Sequence, residues 1–299
     1  MNNTTAKRVA ALGFFDGVHI GHAQLLRQVQ NVSETTGLTP CVITFDTLPQ
    51  NIVGVDYIPL ITSPEDKVGL INRLFNIDDI ITLPFNSLTA VTPWDEFIDR
   101  LIIEHDVRHF IVGSNFRFGK GAEGNSKLLT KKCEESSLSC NIIDNVLFDD
   151  IVCSSTYIRE LLLTGCIERA NAFLGHKHVF TNVVRSGQRL GRTLDAPTIN
   201  MVFENGVLVP AYGVYATKVY IEDNKPYNGV TNIGIRPTVD DRGLVTAETF
   251  IFDFNETLYD SKVRLEFHNY LRSEQKFKNI NELKEQIKKD CKTALEYFV

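Results

Sequence analysis

The chain has 299 residues, 43% of them hydrophobic and 23% charged, which fits two globular domains better than one. Its formal net charge is −6 and it has no long run of Lys or Arg, so neither DNA nor RNA is an expected partner. Six cysteines without CxxC pairs or zinc-ligand spacing favour reduced thiols. The sequence shows neither an apolar signal segment nor an apolar stretch long enough to cross a membrane, so it predicts a cytoplasmic protein.

Strand and helix patterns alternate along residues 1–175. Short apolar runs predict buried strands at 9–12, 41–45, 80–83, 110–112 and 141–143. Ser63-Pro64 and Thr92-Pro93 each predict a helix start, with a capping hydroxyl before a proline at the first helical position. Such alternation predicts an α/β domain with a mainly parallel sheet, which binds ligands beyond the carboxyl ends of its strands.

Residues 176–299 have a different pattern. Runs at 181–184, 213–219, 249–254 and 263–267 predict strands without helices between them, separated by turn residues at 223–224 and 241–243. A final helix is predicted after the capping residue Asn279, with one apolar stripe formed by Leu283, Ile287, Cys291 and Leu295. The second domain is therefore predicted to be an antiparallel β-barrel with a C-terminal helix.

The segment GFFDGVHIGH follows the first predicted strand and opens a helix. Gly13, Gly17 and Gly21 would let the backbone approach a ligand, and the helix start would offer free N–H groups to an anion. His19 and His22 lie one helical turn apart, so both can face one phosphate and stabilise charge on its oxygens. The alternative is a glycine-rich turn with two surface histidines.

Two further segments carry polar groups suited to a nucleotide. Ser154, Ser155 and Thr156 open a predicted helix, and Arg159 follows one turn later. Together they form a hydroxyl-and-guanidinium site for a triphosphate, although capping hydroxyls and a solvated arginine would give the same pattern. The segment GSNFRFGK follows another predicted strand, and its Arg117 and Lys120 are candidate phosphate contacts.

A glycine loop and a PTxN tetrad occupy residues 187–200. Gly187 and Gly191 permit close approach to phosphates, and Arg192 offsets their charge. Thr198 and Asn200 point the same way on an extended strand, and their oxygens with those of ATP would make a site that suits Mg²⁺. Taken alone, PTxN is also an ordinary loop-to-strand entry.

These segments resemble the motifs of one enzyme family. GFFDGVHIGH carries the HxGH signature of the nucleotidyltransferase superfamily, with its Rossmann-like fold, and with SSTYIR and GSNFRFGK it is similar to the adenylyltransferase module of bacterial FAD synthetases. GVTNIGIRPT, ETFIFDF and LRSEQKF are similar to GVxNIGxRPT, ExHLLDF and LRxExKF of riboflavin kinases. By this resemblance the chain is identified as a member of the bifunctional riboflavin kinase/FMN adenylyltransferase family.

The resemblance implies an FMN adenylyltransferase domain at 1–175 and a riboflavin kinase domain at 176–299, both using ATP and Mg²⁺. It implies His19 and His22 as catalytic groups, and Glu248 as the base that takes a proton from the ribityl 5′-hydroxyl. The implied flavin contacts are Asn115, Phe116, Arg117 and Arg272. The implied nucleotide contacts are Gly13, Phe15, Asp16, Gly17, Gly21, Ser154, Ser155, Thr156, Arg159, Gly187, Gly191, Arg192 and Pro197.

Several positions depart from the family pattern. Leu48 stands where TFDPHP has a phosphate-facing His, and Asn115 stands at an acidic position. Asp195 and Ala196 change LGFPTAN, and Phe250 replaces a His two places after Glu248. These changes leave open that one activity alone is retained, more readily the kinase, or that the protein is a non-catalytic flavin sensor. Homo-oligomerisation also stays open.

Overall fold

The structure is a computed structural model that describes residues 6–54, 56–185, 198–222, 226–236 and 244–299. The chain forms two compact units, Met1–Leu60 with Lys67–Ser154, and Ile61–Asp66 with Ser155–Val299. The predicted domain boundary after residue 175 stays a prediction. Some predicted site residues and both predicted turns lie outside the described residues: Gly187, Gly191, Arg192, Pro197, 223–224 and 241–243.

Up to residue 152 the chain alternates strands with helices, as predicted. The strands are β1 (Arg8–Leu12), β2 (Thr39–Phe45), β3 (Asp79–Leu83), β4 (Val107–Gly113), β5 (Arg117–Phe118), β6 (Gly124–Asn125), β7 (Ser139–Ile143), β8 (Leu147–Phe148) and β9 (Ile151–Val152). The helices are α1 (Ile20–Thr36), α2 (Pro49–Val53), α3 (Pro64–Phe75), α4 (Trp94–His105) and α5 (Ser126–Glu135).

The first unit is built on a five-stranded parallel sheet in the order β3-β2-β1-β4-β7. Its central strands each carry a run of buried apolar residues, 9–12 in β1, 41–43 in β2 and 110–112 in β4, because a parallel sheet covered on both faces buries successive residues of each strand. The carboxyl ends of β1, β2 and β4 therefore meet at one edge, where the strand order changes direction. The predicted α/β fold of this part of the chain is confirmed.

The remaining chain begins with two short helices and then forms strands. The helices are α6 (Ser155–Leu163) and α7 (Ile167–Leu174). The strands are β10 (His178–Val183), β11 (Thr198–Val202), β12 (Gly213–Ile221), β13 (Tyr227–Arg236), β14 (Leu244–Ile251) and β15 (Lys262–Arg272). The final helix is α8 (Ile280–Phe298), and the Asn279 side chain caps it by accepting the N–H groups of Asn281 and Glu282.

The six strands of the second unit form one antiparallel sheet in the order β10-β15-β12-β13-β14-β11. The first and last strands of this order meet where the Arg185 N–H donates to the Asn200 carbonyl over 2.8 Å. Helix α8 packs on the sheet through Ala294, Cys291 and Phe298. The predicted antiparallel barrel with a C-terminal helix is confirmed, and no helix within the described ranges is long and apolar enough to cross a membrane.

Three local predictions differ from the structure. Helix α4 begins at Trp94 with Pro93 as its N-cap, because the backbone of Thr92 is used elsewhere: its N–H ends the preceding turn and its carbonyl accepts from Lys120. The apolar stripe of α8 does not include Leu295, which is 42% exposed, because the helical repeat of 3.6 residues carries the buried face through Ala294 instead. Strand β14 ends at Ile251, three residues before the predicted end.

Candidate active sites

The turn between β1 and α1 brings His19 and His22 together, as their spacing predicts. Gly17, with φ of 78°, and Phe15, with φ of 58°, bend the backbone so that His19 becomes the N-cap of α1. The two imidazole rings stack with centroids 3.6 Å apart and planes 15° apart. They therefore present one paired face rather than two independent surface histidines.

Burial holds His22 of this pair in its neutral form. The His22 N–H donates to Nδ1 of His19 over 3.3 Å, so Nε2 of His19 is the nitrogen left to act as a donor. The pKa of His22 lies well below its usual value, first because the ring is buried and also because His19 and Lys67 lie close to it. His22 can thus donate a hydrogen bond to a phosphate oxygen but does not supply a full positive charge.

One first-turn N–H group of α1 is already used within the protein, because the His22 N–H donates to His19. The Ile20 and Gly21 N–H groups lie beside the Cys153 thiol and lower its pKa, although burial raises that pKa by more. Their predicted role in binding an anion stays a prediction. The glycine also has a structural use, since a Cβ on Gly21 would lie 3.1 Å from the His19 ring.

Two of the expected nucleotide contacts have buried side chains. The Phe15 ring is 1% exposed and packs edge-on against His22 at 5.2 Å, while Asp16 is 3% exposed. A Cβ on Gly13 would lie 3.0 Å from the Phe15 ring, so this glycine also makes room for a protein side chain. Any contact of Phe15 with a nucleotide must therefore come from its backbone.

An aromatic cavity of about 440 Å³ lies beyond the carboxyl ends of β2, β3 and β4. Phe116 and Phe118 stack with ring centroids 5.3 Å apart, and Phe97 packs near Phe118 at 6.0 Å. Of the predicted flavin contacts, Phe116 and Arg117 line this cavity; the exposed Asn115 is not one of its lining residues. Flat aromatic ligands are held well in such a space because ring stacking adds to the burial of apolar surface.

The predicted triphosphate segment is divided between the two units. Helix α6 begins at Ser155, as expected, so Ser155, Thr156 and Arg159 belong to the second unit and Ser154 to the first. Their role as a nucleotide site stays a prediction.

In the second unit, strand register places four polar residues together. Glu248 on β14 lies directly opposite Asn200 on β11 and Asn232 on β13, so an amide flanks the carboxylate on each side. Thr198, two residues before Asn200, lies on the same face of β11. Behind this row, the buried hydroxyls of Thr217, Thr231 and Thr249 form a hydrogen-bonded line at 2.8 Å per step, which fixes the register of β12, β13 and β14.

The Thr198 and Asn200 pair fits a hard cation. Asn200 is 7% exposed, and its Oδ1 has no hydrogen-bond partner among the described residues. A buried amide oxygen without a partner is costly unless a ligand completes it. A hydroxyl and an amide oxygen on one strand face are the ligands that Mg²⁺ accepts beside phosphate oxygens and waters.

A second cavity, of about 330 Å³, opens beside this row and is lined by Thr198, Asn232, Glu248 and Arg272. Arg272 is held at its wall by Asp290 of α8: Nε donates to Oδ1 over 2.9 Å and Nη2 to Oδ2 over 2.7 Å. Asp290 also accepts from Gln286 over 2.9 Å. The predicted contact residue Arg272 therefore has a fixed orientation that comes from the C-terminal helix.

The comparisons with known proteins agree with both halves of this arrangement. A family model described as FAD synthetase matches residues 1–157, and one described as riboflavin kinase matches residues 174–298. A protein of Bacillus subtilis (strain 168), named bifunctional riboflavin kinase/FMN adenylyltransferase, is 37% identical over 98% of this chain and 93% of its own length. The chain belongs to the bifunctional riboflavin kinase/FMN adenylyltransferase family.

Other members and one solved structure extend the comparison. The family member of Escherichia coli (strain K12) is 33% identical over 97% of this chain and 92% of its own length. A solved structure named as a macrolide-efflux protein from Streptococcus pneumoniae is 26% identical and superposes with a TM-score of 0.86, covering 98% of this chain and 95% of its own. The likeness to that structure shows that the fold is shared along nearly the whole chain.

The family departures have clear structural settings. Leu48 is 7% exposed and is the N-cap of α2, where it makes no side-chain cap, so an apolar group fills the position that carries a His in the family motif. Phe250 lies opposite Thr198 in the β11–β14 register and lines the second cavity. Asp195 and Ala196 lie outside the described residues.

Asn232 and Asp290 were missed by the sequence reasoning. Asn232 sits inside the GVTNIGIRPT segment, so recognising that segment as a strand paired with β14 would have placed it beside Glu248. Asp290 lies in a helix rich in charged residues and carries no distinguishing signal in the sequence. Its contact with Arg272 follows from the packing of α8 against the sheet, which leaves Asp290 only 5% exposed.

Proposed function

We propose that this protein phosphorylates riboflavin to FMN in its second unit and adenylylates FMN to FAD in its first, with ATP as the donor in both reactions. The two bifunctional relatives described above match at least 97% of this chain, which favours two activities over one and over a flavin sensor. The six cysteines form no disulfide within the described residues, which supports a cytoplasmic setting for these small-molecule substrates.

The observation that carries the kinase half is the row Asn200–Glu248–Asn232 beside the 330 Å³ cavity. An alcohol is a poor nucleophile until its proton is accepted, and Glu248 is the carboxylate in that row. As the ribityl 5′-oxygen bonds to the γ-phosphorus of ATP, the bond from that phosphorus to the β,γ-bridging oxygen breaks. Glu248 takes the hydroxyl proton, and ADP leaves.

Thr198 and Asn200 would hold Mg²⁺ next to the ATP phosphates. When bound, the ion neutralises the charge that accumulates on the phosphate oxygens. The protein supplies the fixed strand geometry and the otherwise unpartnered Oδ1 of Asn200. Arg272, oriented by Asp290, is proposed as the flavin contact at the cavity wall.

The adenylyltransferase half needs no general base, because the FMN phosphate is already ionised. One of its oxygens attacks the α-phosphorus of ATP, and pyrophosphate leaves. The stacked His19 and His22 rings would donate hydrogen bonds to phosphate oxygens, and the aromatic cavity with Phe116 would stack on the isoalloxazine ring. Residues 154–156 and Arg159 remain the proposed triphosphate contacts.

The test uses purified full-length protein with riboflavin, ATP and Mg²⁺, with products separated by chromatography. FMN should appear first and FAD after it. The variant E248Q should lower FMN formation by about 100-fold or more while leaving FAD formation from supplied FMN intact. The variant H22A should show the reverse pattern.

Glu204, an exposed carboxylate of the second unit, provides the control E204Q, which should leave both rates unchanged. FMN accumulation without FAD in the unmodified protein would reject the adenylyltransferase assignment. Equal loss of both reactions in E248Q and H22A would reject the assignment of separate sites.

A further inference from the structure

Lys67 is the most deeply buried cation of the first unit. It is 5% exposed, and no other Lys or Arg in the described part of that unit is as fully covered. An ammonium group is costly to bury, so its surroundings must satisfy its hydrogen-bond donors. It lies near the start of α3, outside every motif identified in the sequence.

All three N–H donors of the ammonium are used within the protein. Nζ donates to the Phe14 carbonyl over 3.1 Å, to the Phe45 carbonyl over 3.2 Å and to the Thr44 hydroxyl over 3.0 Å. The Thr44 hydroxyl donates in turn to the Phe14 carbonyl over 3.0 Å, and the Phe14 ring lies 4.3 Å from Nζ. With no donor left for a substrate, Lys67 can act on one only through its charge.

The ammonium lies at the ligand-binding edge of the parallel sheet. Phe14 belongs to the turn that leads from β1 to the histidine pair, and Phe45 is the last residue of β2. Lys67 thus joins the carboxyl ends of two neighbouring strands, where such sheets bind nucleotides. It is close enough to His22 to contribute to that residue's lowered pKa.

Lys67 supplies a full positive charge at this edge of the sheet. His22 near it is held neutral by burial, Leu48 in α2 is apolar, and the His22 N–H is already bonded to His19. Burial lowers the pKa of Lys67 to about 8, although the negative charges of Asp16 and Asp46 raise it. The side chain is therefore charged at pH 7 and loses its proton as the pH rises through about 8.

We propose that Lys67 is a positioning residue for adenylyl transfer, whose ammonium joins the β1 and β2 loops and provides the positive charge that stabilises the reacting phosphates. This inference rests on the proposed adenylyltransferase function of the first unit. It predicts no change in the kinase reaction, which therefore serves as an internal control in the same molecule.

The first test needs no variant. FAD formation from FMN and ATP is measured in the full-length protein between pH 6.5 and 9.5, with riboflavin phosphorylation followed in parallel. Since Lys67 is cationic below its pKa of about 8, kcat for FAD formation should fall as the pH rises through that value. A rate that stays level or rises over this range would overturn the proposal.

The second test separates charge from packing with three variants. K67M should lower kcat for FAD formation by about 10- to 100-fold and abolish its fall above pH 8. K67R keeps the charge, so it should retain more activity than K67M and move the fall to higher pH. T44V removes one hydrogen-bond acceptor but not the ammonium, so it should keep the fall near pH 8 and lose less than about threefold in rate.

The outcomes separate this inference from the proposed function. If the unmodified protein makes no FAD, the adenylyltransferase function itself fails and this inference fails with it. If it makes FAD and K67M is as fast as the unmodified protein, only the role of Lys67 is refuted. If T44V and K67M lose the same fraction of FAD formation and keep kinase activity, Lys67 acts only by joining the two loops. That outcome would also refute the role of the Lys67 charge.

Discussion

Replacing Asp290 by Asn tests how the C-terminal helix supports the kinase site. The substitution keeps the shape of the side chain but removes its charge and turns one acceptor oxygen into a donor. Nε of Arg272 donates to both carboxylate oxygens, over 2.9 and 3.1 Å, and Nη2 adds a bond of 2.7 Å. In D290N at least one of these donors faces an amide N–H₂ group instead of an acceptor.

The magnitude follows from the burial of the two partners. The Asp290 side chain is 7% exposed and that of Arg272 is 16% exposed, so the pair is largely but not fully desolvated. Breaking a fully buried pair by neutralising one partner costs about 3–5 kcal/mol, mostly because the other charge is left unpaired. Because Arg272 is partly exposed, D290N should lower the unfolding free energy by about 3 kcal/mol, near the lower end of that range.

The assay combines denaturant unfolding with kinase kinetics. D290N should lower the unfolding free energy of the second unit and raise KM for riboflavin, since Arg272, the proposed flavin contact, lines the 330 Å³ cavity and loses its fixed orientation. E285Q is a matched control on the same helix, because Glu285 pairs with Lys288 at 74% exposure and such surface pairs contribute less than about 1 kcal/mol.

A D290N protein that unfolds like E285Q and keeps its KM for riboflavin would refute this reasoning. A second check is the double replacement R272M/D290L, which removes both charges at once. It should be more stable than D290N, because no unpaired charge remains in the wall of the cavity. Kinase activity should stay impaired in the double variant, since the proposed flavin contact is gone.

Three further predictions concern stability and flavin binding. Burial lowers the pKa of His178 from 6.5 to about 3, so below pH 6.5 the unfolded chain binds a proton there and the folded chain does not. The unfolding free energy measured in denaturant titrations should therefore fall by about 2 kcal/mol between pH 7 and pH 5. An unfolding free energy that does not change over this range would contradict the prediction. Gly119→Ala should abolish FAD formation and spare the kinase, because a Cβ there would lie 2.5 Å from Cα of Trp94. The control Gly121→Ala places its Cβ in open space, so it should lower the unfolding free energy by only about 1 kcal/mol, the cost of its positive φ. Phe116→Ala should raise KM for FMN about tenfold without changing riboflavin phosphorylation, and an unchanged KM in steady-state assays would remove the aromatic cavity as the flavin site.

The sequence predicted the central strands of the first unit because their local patterns are pronounced, but it did not predict strand β13 of the second. The apolar runs at β1, β2 and β4 indicated buried strands, and the glycine-rich segment at His19 and His22 indicated a turn entering a helix. Predictions failed where a neighbour distant in sequence used a group that the local pattern left available. The Thr92 carbonyl, for example, accepts from the Lys120 N–H.

The sequence by itself determined which polar groups each half offers: paired histidines in one, and a carboxylate with a hydroxyl and an amide in the other. Those residues lie in short motifs, and a motif is readable because its members are close along the chain. Only the tertiary structure decided that Asn232 flanks Glu248, that Asp290 orients Arg272 and that Lys67 joins the ends of β1 and β2. Each of these contacts joins separate elements, and their packing depends on the register and burial of whole strands and helices, which no local pattern encodes.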